Sequence, residues 1–163
     1  MSDQIVTYHP LAIANYFIKH SFNTGMDLTP MKLMKLVYIS HGWNLGFTSE
    51  PLISQHVEAW KYGPVISSVY KSFKEFGRNQ ISTMKGDVNG VYPEVKDDFT
   101  IKLLERVINV YGEMSGVKLS ALTHKTDTPW DIVWNKQGGK NIPHSIINNG
   151  IINKYYKDKI EDQ

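Results

Sequence analysis

A mainly α-helical domain is what this sequence predicts: a compact single-domain array of about six or seven helices with one small extended or β-hairpin element. Three observations carry that reading. Apolar residues recur at three- and four-residue spacing in several windows. A hydroxyl residue followed by proline, the pattern of a capped helix start, occurs at Thr29-Pro30 and again at Thr128-Pro129. Strict alternation of apolar and polar residues is confined to one short window, Val57 to Trp60. The chain has 163 residues, the size of one domain. That domain is expected over residues 1–160, with 161–163 as a frayed tail.

In the first helix Pro10 takes the opening position, and Leu11, Ala14, Ile18 and Phe22 form its apolar face, flanked by Ile13, Tyr16 and Phe17. The second helix starts at Thr29-Pro30. Met31, Leu33, Met34, Leu36, Val37, Tyr38, Ile39, Trp43 and Leu45 cover most of its circumference, so it should be central. Its narrow remaining stripe holds Lys32, Lys35, Gly42 and Gly46. Gly42 and Gly46 are one turn apart, which lets another backbone come close. Each costs a helix about 1 kcal/mol relative to alanine, and close packing is the reason to carry that cost.

A short strand follows at Val57 to Trp60. Gly63-Pro64 is expected to end it and start a third helix, with Val65, Val69, Phe73 and Phe76 inward. The stretch from Gly77 to Asp97 reads as a loop with a short hairpin around Gly86 to Gly90. Asp97 or Asp98 then caps a fourth helix with Leu103 or Leu104, Val107, Val110 and Met114 in the core. Ser115 caps a short fifth carrying Leu119 and Leu122. Thr128-Pro129 opens a turn with Trp130, Val133 and Trp134, closed by Gly138-Gly139. Asn148 or Asn149 caps the last helix, with Ile151, Ile152, Tyr155 and Tyr156 on one face, and the charged tail beyond Lys157 is expected to fray.

Composition narrows the chemistry. With no cysteine, disulfides and thiolate catalysis drop out. A net charge of +2 with acids and bases interleaved lacks the basic stripe of a nucleic-acid binder, so nucleic acid is not the expected partner. No apolar run reaches membrane-spanning length, and the start, with Asp3, lacks a signal-peptide core. A soluble, cytoplasmic protein with no membrane partner is expected.

None of the six histidines belongs to an HExxH pair. His56 and Glu58 would share one face of a strand, but a catalytic zinc takes three protein ligands. No phosphate-cradling glycine loop and no nucleophile elbow is present. The expectation is therefore no metal, no cofactor, no catalytic residue and no enzymatic activity, the lesser alternative being an enzyme whose site assembles only in three dimensions, around His41 or His124. His41, among Met34, Val37, Tyr38 and Leu45, reads as a core histidine with a hydrogen-bond partner. His124, ending the fifth helix, reads first as a partner for the helix dipole. Tryptophans fill cores but also dominate binding hot spots, which makes Trp60-Lys61-Tyr62-Gly63-Pro64 the best local candidate for contact.

Bottom-up reading stops at a helical domain with an aromatic turn. The run from Leu28 to Tyr38, followed by His41-Gly42-Trp43, resembles the opening of Panacea (SocA-like) antitoxin domains. There a threonine-proline start leads into a lysine, leucine and tyrosine pattern ending in glycine-tryptophan. Glu50-Pro51-Leu52 and Val57 to Val65 resemble the family's most recognisable signature, continued by Val69-Tyr70 and Phe73-Lys74. Leu119 to His124 and Pro129-Trp130 resemble its second block. His41 departs from the pattern, where glutamine is expected, and the loop from Arg78 to Glu94 does not align.

The resemblance implies an antitoxin-like protein that neutralises a cognate toxin by direct binding. Its alternatives are an adaptor that delivers the toxin to a cellular protease and a phage-encoded modulator of a host factor. It transfers no catalytic residue. The matching Glu58, Trp60, Tyr62, Gly63, Pro64 and His124 become candidates for partner contact. Leu33, Leu36, Tyr38, Gly42, Trp43, Pro129 and Trp130 become candidates for fold integrity. Neither the toxin's identity nor the oligomeric state follows.

Overall fold

The computed structural model describes residues 6–162. The reading of the amino end around Asp3, and Gln163 of the tail, lie outside them.

Helix α1 spans Pro10–Thr24 and α2 spans Pro30–Thr48. Each begins with the proline the sequence offered. Thr29 Oγ1 accepts the Lys32 N–H at 3.4 Å, satisfying one of the orphan amides of the first turn. At α1 the capping atom is His9 Nδ1, which accepts the Leu11 N–H at 3.0 Å. Gly25, at φ +77°, then turns the chain out of α1 and donates its N–H to Ser21 O.

Helix α2 is the axis of the molecule, buried over most of its length. Around it pack α3 (Ser67–Phe73), α4 (Asp98–Tyr111), α5 (Gly116–His124) and α7 (Asn149–Glu161), with α1 alongside. The expected close approach at the glycine pair is made by α7. A Cβ on Gly46 would come 2.9 Å from Tyr156 Cβ, and one on Gly42 would collide with the Tyr156 ring. Asp97, Ser115, Thr128 and Asn148 cap α4, α5, α6 (Pro129–Asp131) and α7 through their side chains. Helix α6 runs on as a π-helical turn over Ile132–Lys136. The chain then leaves it through Gly138, at φ +71°.

Three strands form one antiparallel sheet in the order β2-β1-β3: β1 Val57–Trp60, β2 Gly63–Val65 and β3 Ile146–Ile147. Here the structure corrects the expectation that Gly63-Pro64 begins a helix. Gly63, at φ +117°, reverses the chain so that Trp60 pairs with Gly63 and Glu58 with Val65, and α3 begins only at Ser67. Phe76 sits in a 3-10 turn, Lys74–Phe76, appended to α3. Strand β3 was not anticipated either, since two residues carry no periodicity.

Other expectations shift at helix ends. Phe22, Met31 and Val110 are exposed, each within a terminal turn beyond the reach of the core, while Leu103 and Leu104 are both buried. Helix α7 runs through Glu161, past the point where the tail was expected to fray. Between Gly77 and Asp97 no strand forms among the described residues. Only the tight turn from Asp87 to Val91 closes, with Asp87 N–H donating to Val91 O at 2.8 Å. Buried Ile81 pins this loop, donating its N–H to Leu28 O, and Asn15 Nδ2 donates to Lys85 O at 2.8 Å.

Candidate functional site

The hairpin from Trp60 to Pro64 is a turn whose carbonyls are held from within the protein, with Lys61 and Tyr62 exposed, Trp60 half-buried, and Gly63 and Pro64 buried. A two-residue connection leaves its own carbonyls without ladder partners, so other elements must supply donors. Lys35 of α2 reaches across with Nζ to donate to Tyr62 O and Pro64 O, both at 3.1 Å. Ser120 Oγ of α5 donates to Tyr62 O at 3.1 Å. Trp130 Nε1 of α6 donates to Trp60 O at 2.6 Å. His124 places Nε2 3.3 Å from Lys61 O, while its Nδ1 lies 2.6 Å from Ser120 O one turn back in its own helix. Three helices therefore hold four carbonyls of one five-residue turn.

Gly63 makes the arrangement possible. A Cβ there would lie 2.7 Å from Lys35 Nζ and 3.0 Å from the His124 ring. No larger residue leaves room for both, and few tolerate its φ of +117°. Among the described residues Lys35 has no carboxylate partner, and burial pushes its ammonium down to about 7. Lys32, one turn earlier, is also buried. It donates at 2.5 Å to Gly112 O, the buried C-cap carbonyl of α4, and burial lowers its pKa. Both lysines had been placed on the polar stripe of α2. The structure turns them inward as donors for orphan carbonyls.

The outward side chains differ in exposure. Tyr62 is 66% exposed, with Lys61 Nζ 5.5 Å from its ring centroid. Trp60 is half-buried, its ring against Tyr70 at 5.0 Å and His144 at 6.4 Å. Trp130 is buried between His124, at 4.3 Å, and Trp134, at 5.7 Å. A shallow depression of about 430 Å³ opens beside the turn, walled by Trp60, Lys61, Trp134 and the 140–144 segment. Glu58 does not face it freely, because its Oε1 lies 2.7 Å from His144 Nδ1.

The structure thus brings Glu58, Trp60, Tyr62, Gly63, Pro64, His124 and Trp130 to one end of the molecule. Leu33, Leu36, Tyr38, Gly42 and Trp43 line α2, and Tyr38 and Trp43 pack towards α7 through Tyr156. Sequence reading missed Lys35, Ser120 and His144 as partners of this end. Lys35 and Ser120 lay inside the recognised segments, but nothing local shows which way a helical lysine turns.

Far from the turn, His41 is fully buried. Leu52 N–H donates to Nδ1 at 3.3 Å and Nε2 donates to Asn149 Oδ1 at 3.0 Å, so the neutral ring is satisfied on both sides. Burial pushes its pKa down to about 4. No group of three metal-ligating side chains forms among the described residues, and none of their helices is long and apolar enough to cross a membrane.

Comparison with known proteins agrees with the geometry. No solved structure matches this chain. The family model described as "Antitoxin SocA-like, Panacea domain" matches residues 33–131, a span that opens in α2, contains the hairpin and closes at the end of α6. The curated protein "Antitoxin SocA" of Caulobacter vibrioides (strain NA1000 / CB15N) is 32% identical over 133 residues, covering 78% of this chain and 71% of that protein. The elements that clamp the turn are the elements the family model spans, and this chain belongs to the SocA-like, Panacea-domain antitoxin family.

Proposed function

We propose that this protein is an antitoxin that neutralises a cognate toxin by direct contact, and that the Trp60–Pro64 turn is the centre of the contact surface. The observation that carries the reading is the rigid presentation of an exposed aromatic. Tyr62 stands in solvent while its own carbonyl is held by Lys35 and Ser120. A side chain on a backbone already fixed loses little further freedom on binding, which is how a small patch yields high affinity. Tyr and Trp are the residues that most often anchor such patches. Family membership supplies the class of partner, a toxin protein.

In this reading Tyr62 is the anchor, Trp60 widens the apolar surface and Lys61 contributes charge at the rim. Glu58 acts through His144, orienting the edge of the depression. His124 positions the turn from beneath. The mechanism is occlusion of the toxin's active surface.

The test begins with recovery of the partner by affinity purification from native cells, followed by co-expression to confirm rescue from its toxicity. Tyr62→Ala is then expected to weaken toxin binding by about 30-fold, the scale of a 2 kcal/mol hot spot. Its thermal stability should stay within about 0.5 kcal/mol of wild type, as for most surface substitutions. Wild-type affinity and full rescue by this variant would remove the turn from the interface. Toxin loss that requires an active protease would replace occlusion with delivery for degradation.

A further inference from the structure

A second opening, of about 150 Å³, lies where α2, α5, α6 and α7 converge beside the end of α4. It shares no lining residue with the depression beside the hairpin. Its floor is built of phenols. Tyr38 of α2 and Tyr156 of α7 are 2% and 5% exposed, their rings 6.4 Å apart and edge-on. Tyr155 stands edge-on to Tyr156 at 5.1 Å, and Tyr111 closes one wall with its hydroxyl accepting the Trp43 indole N–H at 3.0 Å.

Proton counting shows what this floor offers. Two facing phenols carry two protons, each available to an acceptor. Among the described residues, no carbonyl, carboxylate or amide oxygen accepts from Tyr38 or Tyr156. Neither phenol oxygen is among the buried polar atoms left without a partner, and both tyrosines line the opening. Burial holds both phenols protonated, well above the usual tyrosine range. Lys125 and Lys159 stand at the rim, and among the described residues no Asp or Glu lines the opening. Leu122 and Pro129 make part of the wall apolar. The site is therefore electropositive, donor-rich at its floor and partly greasy, and of a size that holds a body comparable to benzene, about 150 Å³.

We propose that this opening is a binding site for a small organic carboxylate, whose oxygens accept from the phenols of its floor while Lys125 and Lys159 balance its charge. The apolar wall selects an acid with a hydrocarbon body over a bare inorganic anion. The site is held together by the packing of α7 on α2, so its occupancy reinforces that packing. It stands independently of the toxin-binding reading.

Benzoate is the probe, with acetate and inorganic phosphate beside it, titrated into the 163-residue chain and followed by amide chemical shifts and the tyrosine near-ultraviolet difference spectrum. Saturable benzoate shifts confined to the residues around the opening are expected, with acetate weaker and phosphate silent. Tyr38→Phe and Tyr156→Phe, which keep the rings and remove the donors, should each weaken benzoate by about tenfold, the scale of a hydrogen bond to a charged acceptor. Lys125→Ala with Lys159→Ala, both on the surface, tests the charge without touching the core and should also weaken it. Absence of saturable benzoate binding, equal binding of phosphate, or full affinity in the lysine double variant would overturn the proposal.

Discussion

At the scale of single residues, two buried bases give this protein a stability that depends on pH in opposite halves of the range. His41 is neutral in the fold because Leu52 N–H already occupies Nδ1, and burial takes its pKa from 6.5 to about 4. As pH falls through that interval the unfolded chain gains a proton the folded chain refuses, so stability falls. The expected loss is roughly 3 kcal/mol by pH 4. Lys35, lowered by burial from 10.5 to about 7, works by the same sign in a higher window. Between those values the unfolded lysine keeps a proton the folded amine has lost, so stability rises as pH increases from about 7. Denaturant unfolding measured from pH 4 to pH 10 should climb in both windows. His41→Gln supplies one acceptor and one donor without a titrating proton, and should flatten the acid window alone. A slope unchanged by this substitution would assign the acid loss to another group.

The sequence showed His41 as a buried histidine because its neighbours at three- and four-residue spacing are apolar. It did not show Lys35 or Lys32 as buried. Lysine spacing on a helix reports a face, and a polar face is ordinarily wet. Here the face is dry because orphan carbonyls at Tyr62, Pro64 and Gly112 come from segments 27 to 80 positions away.

Among elements, the α2–α7 pair is the most informative contact. Gly42 and Gly46 announced a close approach, and Tyr156 fills it. Gly42→Ala gains about 1 kcal/mol of helix propensity but drives a methyl group into the Tyr156 ring, an overpacking that costs about 1–3 kcal/mol. Net destabilisation is expected in thermal unfolding, and Tyr156→Leu in the same chain should recover part of it. A Gly42→Ala protein more stable than wild type would show that the ring moves aside freely. Helix starts were readable for a similar reason. A cap is a local hydrogen bond, so Thr29, Asp97, Ser115, Thr128 and Asn148 declare themselves within four residues. Strand β2 was not readable. Gly-Pro is a breaker in helix logic, and only pairing with β1 makes it a strand.

On the scale of the whole molecule, the carboxyl-terminal helix closes the core rather than trailing from it. Deletion of residues 149–163 removes Asn149 from His41 and Tyr156 from Tyr38, Gly42 and Trp43. The truncated chain is expected to lose its cooperative thermal transition and to bind a hydrophobic dye, the behaviour of a core without fixed packing. A cooperative transition near that of the full chain would make α7 dispensable. Strand β3 just before it also pairs with β1, so the last segment of the chain braces the hairpin as well as the core.

Helical character, the centrality of α2, the glycine contact and the position of the aromatic turn all follow from patterns that repeat within a few residues. Hydrophobic periodicity and capping are short-range physics, and a linear reading reaches them. Which atoms hold the turn, that Tyr62 is outside while Trp130 is inside, that Glu58 is paired with His144, and that four tyrosines meet over one opening were decided by tertiary packing. Those facts depend on partners as far apart in sequence as Tyr38 and Tyr156, 118 positions. Buried polar groups must find partners wherever the fold supplies them, and no local pattern records where that is.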